Sequence, residues 1–276
     1  MSGRLAQFRL FSELLPPRSA DISHTVLEGL SLVAAGAEAL FIPDAPGGTP
    51  RLESVMAAAL LQRELGVPCI PHINCRDRNR VALKGALWAA KAAGLHGVKV
   101  VTGDPLPGCG VTGSWDEDSV SLTRMAYEEV GLEVVIGHRL DGPGSVDSQV
   151  RFLDKVRAGA SVAITTPLLE PELAVRVAEE CRAAGVRPVV ALVAVPSLEV
   201  LHYLEQEMHS FRGSLRAAER LRLAEDPAAE GVALAREVAD RVGDRAGFHV
   251  ALPFGRAKAG IALLQELRRQ GASRGK

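Results

Sequence analysis

Four polar residues stand at the ends of four apolar, strand-like runs. Glu13 closes Phe8-Arg9-Leu10-Phe11-Ser12-Glu13-Leu14-Leu15 just before Pro16-Pro17, and Asp44 follows Ala39-Leu40-Phe41-Ile42-Pro43. His72 closes Pro68-Cys69-Ile70-Pro71, and Asp104 follows Gly97-Val98-Lys99-Val100-Val101-Thr102-Gly103. Each type suits a chemical task. A carboxyl flanked by apolar residues, as Glu13 is, loses hydration, holds its proton nearer neutrality and can hand it to a nitrogen or oxygen leaving group. The competing reading is an outward strand residue paired with a basic neighbour such as Arg18. Asp104 sits in Thr102-Gly103-Asp104-Pro105-Leu106-Pro107-Gly108, where glycine lets backbone approach a ligand and proline stiffens the loop, although an aspartate there can equally cap a turn. His72 can donate to a ring carbonyl, or it can be a satisfied histidine at a strand end.

Residues this far apart act together only if the elements between them bring their strand ends to one place. Strand-like runs fall near 8–14, 39–43, 68–73, 97–102, 132–137, 161–165, 187–193 and 246–252, with helical patterns between them, for example over 81–93, 147–158 and 170–184. Gly36, Gly66, Gly94, Gly159 and Gly185 follow helical patterns as terminators. Eight repeats of strand, helix, glycine predict an α/β fold of one (β/α)8 TIM barrel over 1–276, in which all strand ends open on one mouth. The stretch 198–242 exceeds one crossover helix and predicts two or three extra helices between strands seven and eight, with Glu225-Asp226-Pro227 opening the last. Gly47-Gly48-Thr49-Pro50-Arg51 reads as a tight turn and then a helix start, with Thr49 as cap and Pro50 first in the helix. With Asp44 it could also hold a phosphate, but it is not a P-loop. Arg76-Asp77-Arg78-Asn79-Arg80 is either an anion site or a solvated helix start.

Composition narrows the function classes. The 276 residues are close to the roughly 250 of a single barrel. An apolar fraction of 47% with only 4% aromatics leaves the packing to Leu, Val and Ala. A net charge of -1 gives no electrostatic reason to expect nucleic acid. No apolar run reaches the roughly 18 residues of a membrane span. The charged N-terminal run is unlike a signal peptide, and Cys69, Cys75, Cys109 and Cys181 lack zinc-type spacing, Cys75 standing three residues after His72 with no second ligand cluster. A reduced cytoplasmic protein that binds no metal is the expectation.

Several segments carry a resemblance in sequence order: Ser12-Glu13-Leu14-Leu15-Pro16-Pro17, Ala45-Pro46-Gly47-Gly48-Thr49, Pro71-His72-Ile73-Asn74-Cys75, Asn79-Arg80, Gly103-Asp104-Pro105, Ala163-Ile164-Thr165-Thr166, Cys181-Arg182-Ala183-Ala184-Gly185 and Gly247-Phe248-His249. Together they resemble the methylenetetrahydrofolate reductase family, whose signatures include Phe-Glu-Phe-Phe-Pro-Pro, Pro-His-Leu-Thr-Cys and Arg-Gly-Asp-Pro. The resemblance implies a flavin-dependent barrel of one-carbon metabolism. In it Glu13 is the acid that protonates the folate nitrogen, and Asp104 is the aspartate that tunes the flavin. His72, Thr102, Asp44 and His138 join Asp104 in the FAD-binding set, and Thr166 joins Glu13 on the folate. NAD(P)H would reduce the flavin, which would reduce methylenetetrahydrofolate.

The residue types differ from the family's at Thr102 (Arg there), at Pro43-Asp44 (Thr-Tyr), at Thr166 (Gln), at His138-Arg139-Leu140-Asp141-Gly142 (Tyr-Pro-Glu-Gly-His) and at Val250-Ala251-Leu252-Pro253-Phe254 (Phe-Tyr-Thr-Leu-Asn). The alternative is therefore a folate- or pterin-binding methyl-transfer enzyme, or a partner subunit of a one-carbon complex, that has lost the flavin. A third class is a barrel lyase or aldolase, for which Lys99, on the same strand face as Val101 and Gly103, is the inviting Schiff-base lysine. The partners expected are a folate substrate and either a second copy of the chain or another one-carbon enzyme, with neither nucleic acid nor membrane.

Overall fold

A computed structural model of the chain describes residues 4–104, 113–138, 146–207, 211, 214–252 and 257–274. The parallel strands are β1 (Leu10–Glu13), β2 (Ala39–Ile42), β3 (Cys69–Asn74), β4 (Gly97–Val101), β5 (Glu133–His138), β6 (Val162–Thr165), β7 (Arg187–Leu192) and β8 (Gly247–Val250). They pair in sequence order, and β8 returns to β1 to close the barrel, with Phe11 opposite His249. The helices are α1 (Ser23–Ala35), α2 (Ser54–Leu65), α3 (Arg80–Ala92), α4 (Ser119–Arg124, continued by a π-helical turn over Met125–Val130), α5 (Val146–Arg157), α6 (Pro171–Ala183), α7 (Leu198–Glu207), α8 (Leu215–Leu223), α9 (Pro227–Val242) and α10 (Ala257–Arg274). No described helix is long and apolar enough to cross a membrane.

Both faces of these strands are covered, which is why they read as nearly unbroken apolar runs. One face of each strand points into the barrel, where Phe11, Phe41, Ile70, Val135, Ile164 and Val189 form the filling. The other face, including Leu40, Ile42, Ile73, Val98, Val100, Val134 and Ile136, packs under the helices. With few aromatics in the chain, two of them plug the interior. Phe11 and Phe41 stack with ring centroids 5.4 Å apart, and Phe8 meets Phe11 edge-on at 6.4 Å. The glycines expected to end helices follow α1, α2, α3, α5 and α6 by one or two residues, all at positive φ.

The insertion between β7 and β8 contains three helices, α7 to α9. The last starts at Pro227, and the Asp226 side chain accepts from the backbone N–H groups of Ala228 and Ala229, as the sequence predicts. Glycine is required at Gly231, because a Cβ there would lie 1.9 Å from the Val195 carbonyl oxygen beyond β7. The start of α2 differs from expectation. Thr49 and Pro50 lie outside the helix, and Glu53 is the cap, accepting from Met56 N–H. The intervening chain is held instead by the β1 exit: Leu52 N–H donates to Pro17 O, and the Arg51 guanidinium donates to Pro16 O. These contacts keep the segment extended where local propensity alone would start a helix.

Truncating Phe11 to Ala removes one half of the interior plug from a fully buried position. The expected loss is about 3–5 kcal/mol of unfolding free energy, read as a lower denaturant midpoint with an unchanged m-value.

Candidate active site

Period two carries side chains from the apolar filling to the mouth. Two residues on from Phe11 is Glu13, and two on from Ile70 is His72. Lys99 is the register partner of His72 on β4, and Phe41 is that of Glu13 on β2. His249 reaches the same place from β8. Phe41 is the floor they share: its centroid lies 5.9 Å from that of His72, 5.4 Å from that of His249 and 5.5 Å from the Lys99 Nζ. Glu13, His72 and Lys99 keep some surface open to the mouth but are ringed by the barrel wall.

This enclosure sets the electrostatics. Burial raises the Glu13 carboxyl above its ordinary value, against the pull of a hydrogen bond from Leu252 N–H (3.0 Å) and of the Lys99 charge. Burial brings Lys99 down to about 8, opposed by Glu13 and Asp104. Burial, helped by Lys99, holds His72 well below the usual histidine value and brings His249 to about 3. Both imidazoles are thus neutral at pH 7. His72 Nε2 and both ring nitrogens of His249 are buried without a hydrogen-bond partner. Glu13 therefore faces the interior, and the alternative pairing with Arg18 is not what the structure shows.

Asp44 and Asp104 stand at the rim and tie three loops together. The Asp44 carboxylate accepts from Asn74 N–H at 3.1 Å and pairs with Arg78, while its carbonyl accepts from Asn74 Nδ2 at 3.3 Å. Asp104 Oδ2 accepts from Gly47 N–H at 3.1 Å, and its carbonyl accepts from buried Arg76 at 2.7 Å. Gly103, at φ +94°, lies against Arg76, whose Cβ would be 2.7 Å from any Cβ placed there. Thr102 is exposed at the same rim: its hydroxyl donates to Ser119 Oγ, and its carbonyl accepts from Trp115 Nε1. The run 76–80 thus splits, Arg76 and Arg78 bracing the rim and Arg80 pairing with Glu117 and Glu129.

Thr166 is half-buried just past β6 at the same end of the barrel. His138, expected among the cofactor-binding residues, is not brought to the mouth. On β5 the inward face carries Val135 and then Gly137, so His138 points into the helix layer, stacked on Phe152 at 4.2 Å with Glu180 at 3.8 Å. Cys75 is similarly separated from His72, packing with the helix-facing core. Pro105–Gly108, Cys109, Arg139–Gly142 and Pro253–Phe254 lie outside the described residues. Sequence reasoning left Lys99 to another chemistry and gave His249 no role.

A parallel β/α barrel with a desolvated carboxyl, an ammonium and two neutral imidazoles at the carboxyl ends of its strands has the layout of a barrel enzyme. The family model for methylenetetrahydrofolate reductase matches residues 4–208, and the chain belongs to that family. Over 187 residues it is 25% identical to 5,10-methylenetetrahydrofolate reductase of Salmonella typhimurium, covering 65% of this chain and 62% of that one. Over 137 residues it is 28% identical to methylenetetrahydrofolate reductase 2 of Schizosaccharomyces pombe, covering 43% of this chain but only 21% of that one. The chain thus spans less than two thirds of either relative. In fold it is similar to an uncharacterized protein from Clostridium thermocellum that binds two copies of 5-methyl-5,6,7,8-tetrahydrofolic acid, with a TM-score of 0.70, 13% identity and coverage of 95% and 96% of the two chains.

The polar set suits the edge of one flat heterocycle, since an ammonium donates and a neutral imidazole offers one donor and one acceptor. A flavin dinucleotide also needs partners for two phosphates. Of the described rim cations, Arg78 is committed to Asp44 and Glu53, and Arg76 to Asp77 and the Asp104 carbonyl. Arg76 and Arg78 are therefore not free to take the pyrophosphate of FAD.

Two stability effects follow. Removing the Asp44 carboxylate in Asp44→Ala strands Arg78 and Asn74 N–H, and the expected cost is about 3 kcal/mol by thermal or chemical unfolding. Lys99 binds its proton more weakly in the folded chain (about 8) than at the ordinary 10.5. Its stability contribution is therefore full above that ordinary value and lost as pH falls through about 8. Lys99→Met should be more stable than the parent at neutral pH by on the order of 1–3 kcal/mol, and the gain should vanish as pH approaches 10.5.

Proposed function

We propose that this barrel reduces 5,10-methylenetetrahydrofolate to 5-methyltetrahydrofolate with NAD(P)H, and that Glu13 is the general acid. The observation that carries this reading is a carboxyl whose hold on its proton is strengthened by burial, placed at the mouth beside Lys99 and the Leu252 N–H. Membership of the family and the folate bound by the Clostridium thermocellum neighbour support it.

The chemistry divides into two steps. Glu13 gives its proton to the folate nitrogen that leaves as the imidazolidine ring opens, which produces the N5 iminium and a carboxylate beside it. The carboxylate stabilises that cation until hydride from the reduced nicotinamide reaches the methylene carbon. One proton and one hydride are consumed, giving the methyl product and oxidised nicotinamide, and Glu13 recovers its proton from solvent through the mouth. Asp104 adds negative charge at the rim, fixed by Gly47 and Arg76. FAD enters this reading through the family alone, and no step above passes through it.

A second reading, in which the barrel binds a folate for methyl transfer or for a one-carbon partner without redox chemistry, draws on the committed rim cations and on that same neighbour. Anaerobic oxidation of NADH and NADPH on addition of methylenetetrahydrofolate, with and without supplied FAD, separates the two. Folate-dependent oxidation is expected, and the FAD arm reads the cofactor requirement. Folate binding with no oxidation in either arm would favour the second reading. Glu13→Gln should lower turnover by about 10²–10⁴-fold, the range for losing a general acid, while leaving the binding of 5-methyltetrahydrofolate largely intact.

A further inference from the structure

We infer that Lys99, His72 and His249 form a subsite for the lactam edge of the substrate's pterin, the ring oxo group beside a ring N–H, and that Lys99 selects the oxo group. The inference rests on the folate reading above and adds to it the residues that hold the ring.

Three observations converge on it. The Lys99 ammonium has no hydrogen-bond acceptor among the described residues, although it lies inside the barrel wall with only the Phe41 ring 5.5 Å away as a close partner. Two imidazoles flank the same ring, within 6 Å by their centroids at 5.9 and 5.4 Å, and their buried nitrogens are equally unpartnered. The carboxylates that act on Lys99 through space, Glu13 and Asp104, each have backbone donors of their own, Leu252 N–H and Gly47 N–H. A barrel interior does not hold so many unmet donors and acceptors in one layer to strengthen the fold, since each left unpaired is a cost.

The set has a definite complement. An ammonium only donates, whereas a neutral imidazole can accept on one nitrogen and donate on the other. A donor beside an acceptor matches C=O beside N–H. A 4-amino pteridine presents the reverse pattern, an amino group beside a bare ring nitrogen, and would place its NH₂ against the Lys99 ammonium. The isoalloxazine of a flavin shares the lactam edge, so the two ring sources must be separated by measurement.

The test compares folic acid with 4-amino-4-deoxyfolic acid as competitors of 5-methyltetrahydrofolate on the full chain, for the parent, Lys99→Met and Lys99→Arg, with FMN as a further competitor. Far-UV circular dichroism checks that each variant is folded. The parent should prefer the 4-oxo compound by on the order of ten- to a hundred-fold, the value of one hydrogen bond to a charged group made or lost. Lys99→Met should erase that preference, chiefly by weakening the 4-oxo ligand, and Lys99→Arg should retain much of it. Equal binding of the two compounds by the parent, or a preference that survives in Lys99→Met, would overturn the assignment while leaving folate binding in place. Displacement by FMN that depends on Lys99, without any such dependence for the pterins, would assign the subsite to a flavin and overturn it as well. Failure of the parent to bind any pterin would overturn the folate reading itself, and the subsite with it.

Discussion

The stacked pair Phe11–Phe41 closes the interior of the barrel, and the polar layer is arranged by what that plug leaves room for. Because the aromatic rings seal the interior below, the groups above them exchange with water only through the mouth. Desolvation is then the dominant influence on all four, raising the carboxyl and lowering the ammonium and the imidazoles. The enclosure to which this contact belongs thereby turns ordinary side chains into an acid that holds its proton more tightly, a weakened cation and two neutral rings. A more open floor would return each to its behaviour in water.

Much of this architecture is legible in the chain. The eight strands fall within two residues of the runs expected from apolar patterning, and the extra helices after β7 are where an overlong crossover requires them. Glu13 and His72 are recognisable because each follows an inward-facing apolar residue by two positions. The failures have physical causes. At β5 apolar residues occupy both faces, since parallel strands are covered on both sides, so sequence alone does not say which way His138 points. Gly137 gives no help, having no side chain to reveal its face. At Thr49-Pro50 the local signals for a helix start are real, but tertiary hydrogen bonds from Arg51 and Leu52 to the β1 exit override them. His249 becomes part of the site only when β8 closes against β1, a contact between opposite ends of the chain that no local pattern announces.

Lys99 illustrates the tension between a fold and a site. In a parallel strand a buried ammonium without an acceptor is a poor choice for packing, and a methionine of similar length would serve better. Proteins retain such groups where activity depends on them. The same logic applies to the unpartnered imidazoles, which cost the empty barrel what they return to a bound ring.

The Asp44 bracket has a consequence for how sequences of this kind can drift. One carboxylate neutralises Arg78, receives Asn74 N–H and lies on the chain that leads to Gly47, which in turn holds Asp104. Loss of either side chain of the Asp44–Arg78 pair leaves the other's charge stranded, so single substitutions there are filtered out while matched pairs survive. Among related chains, positions 44 and 78 should vary as a pair, two residues beyond neighbouring strand ends passed on as a single hereditary unit.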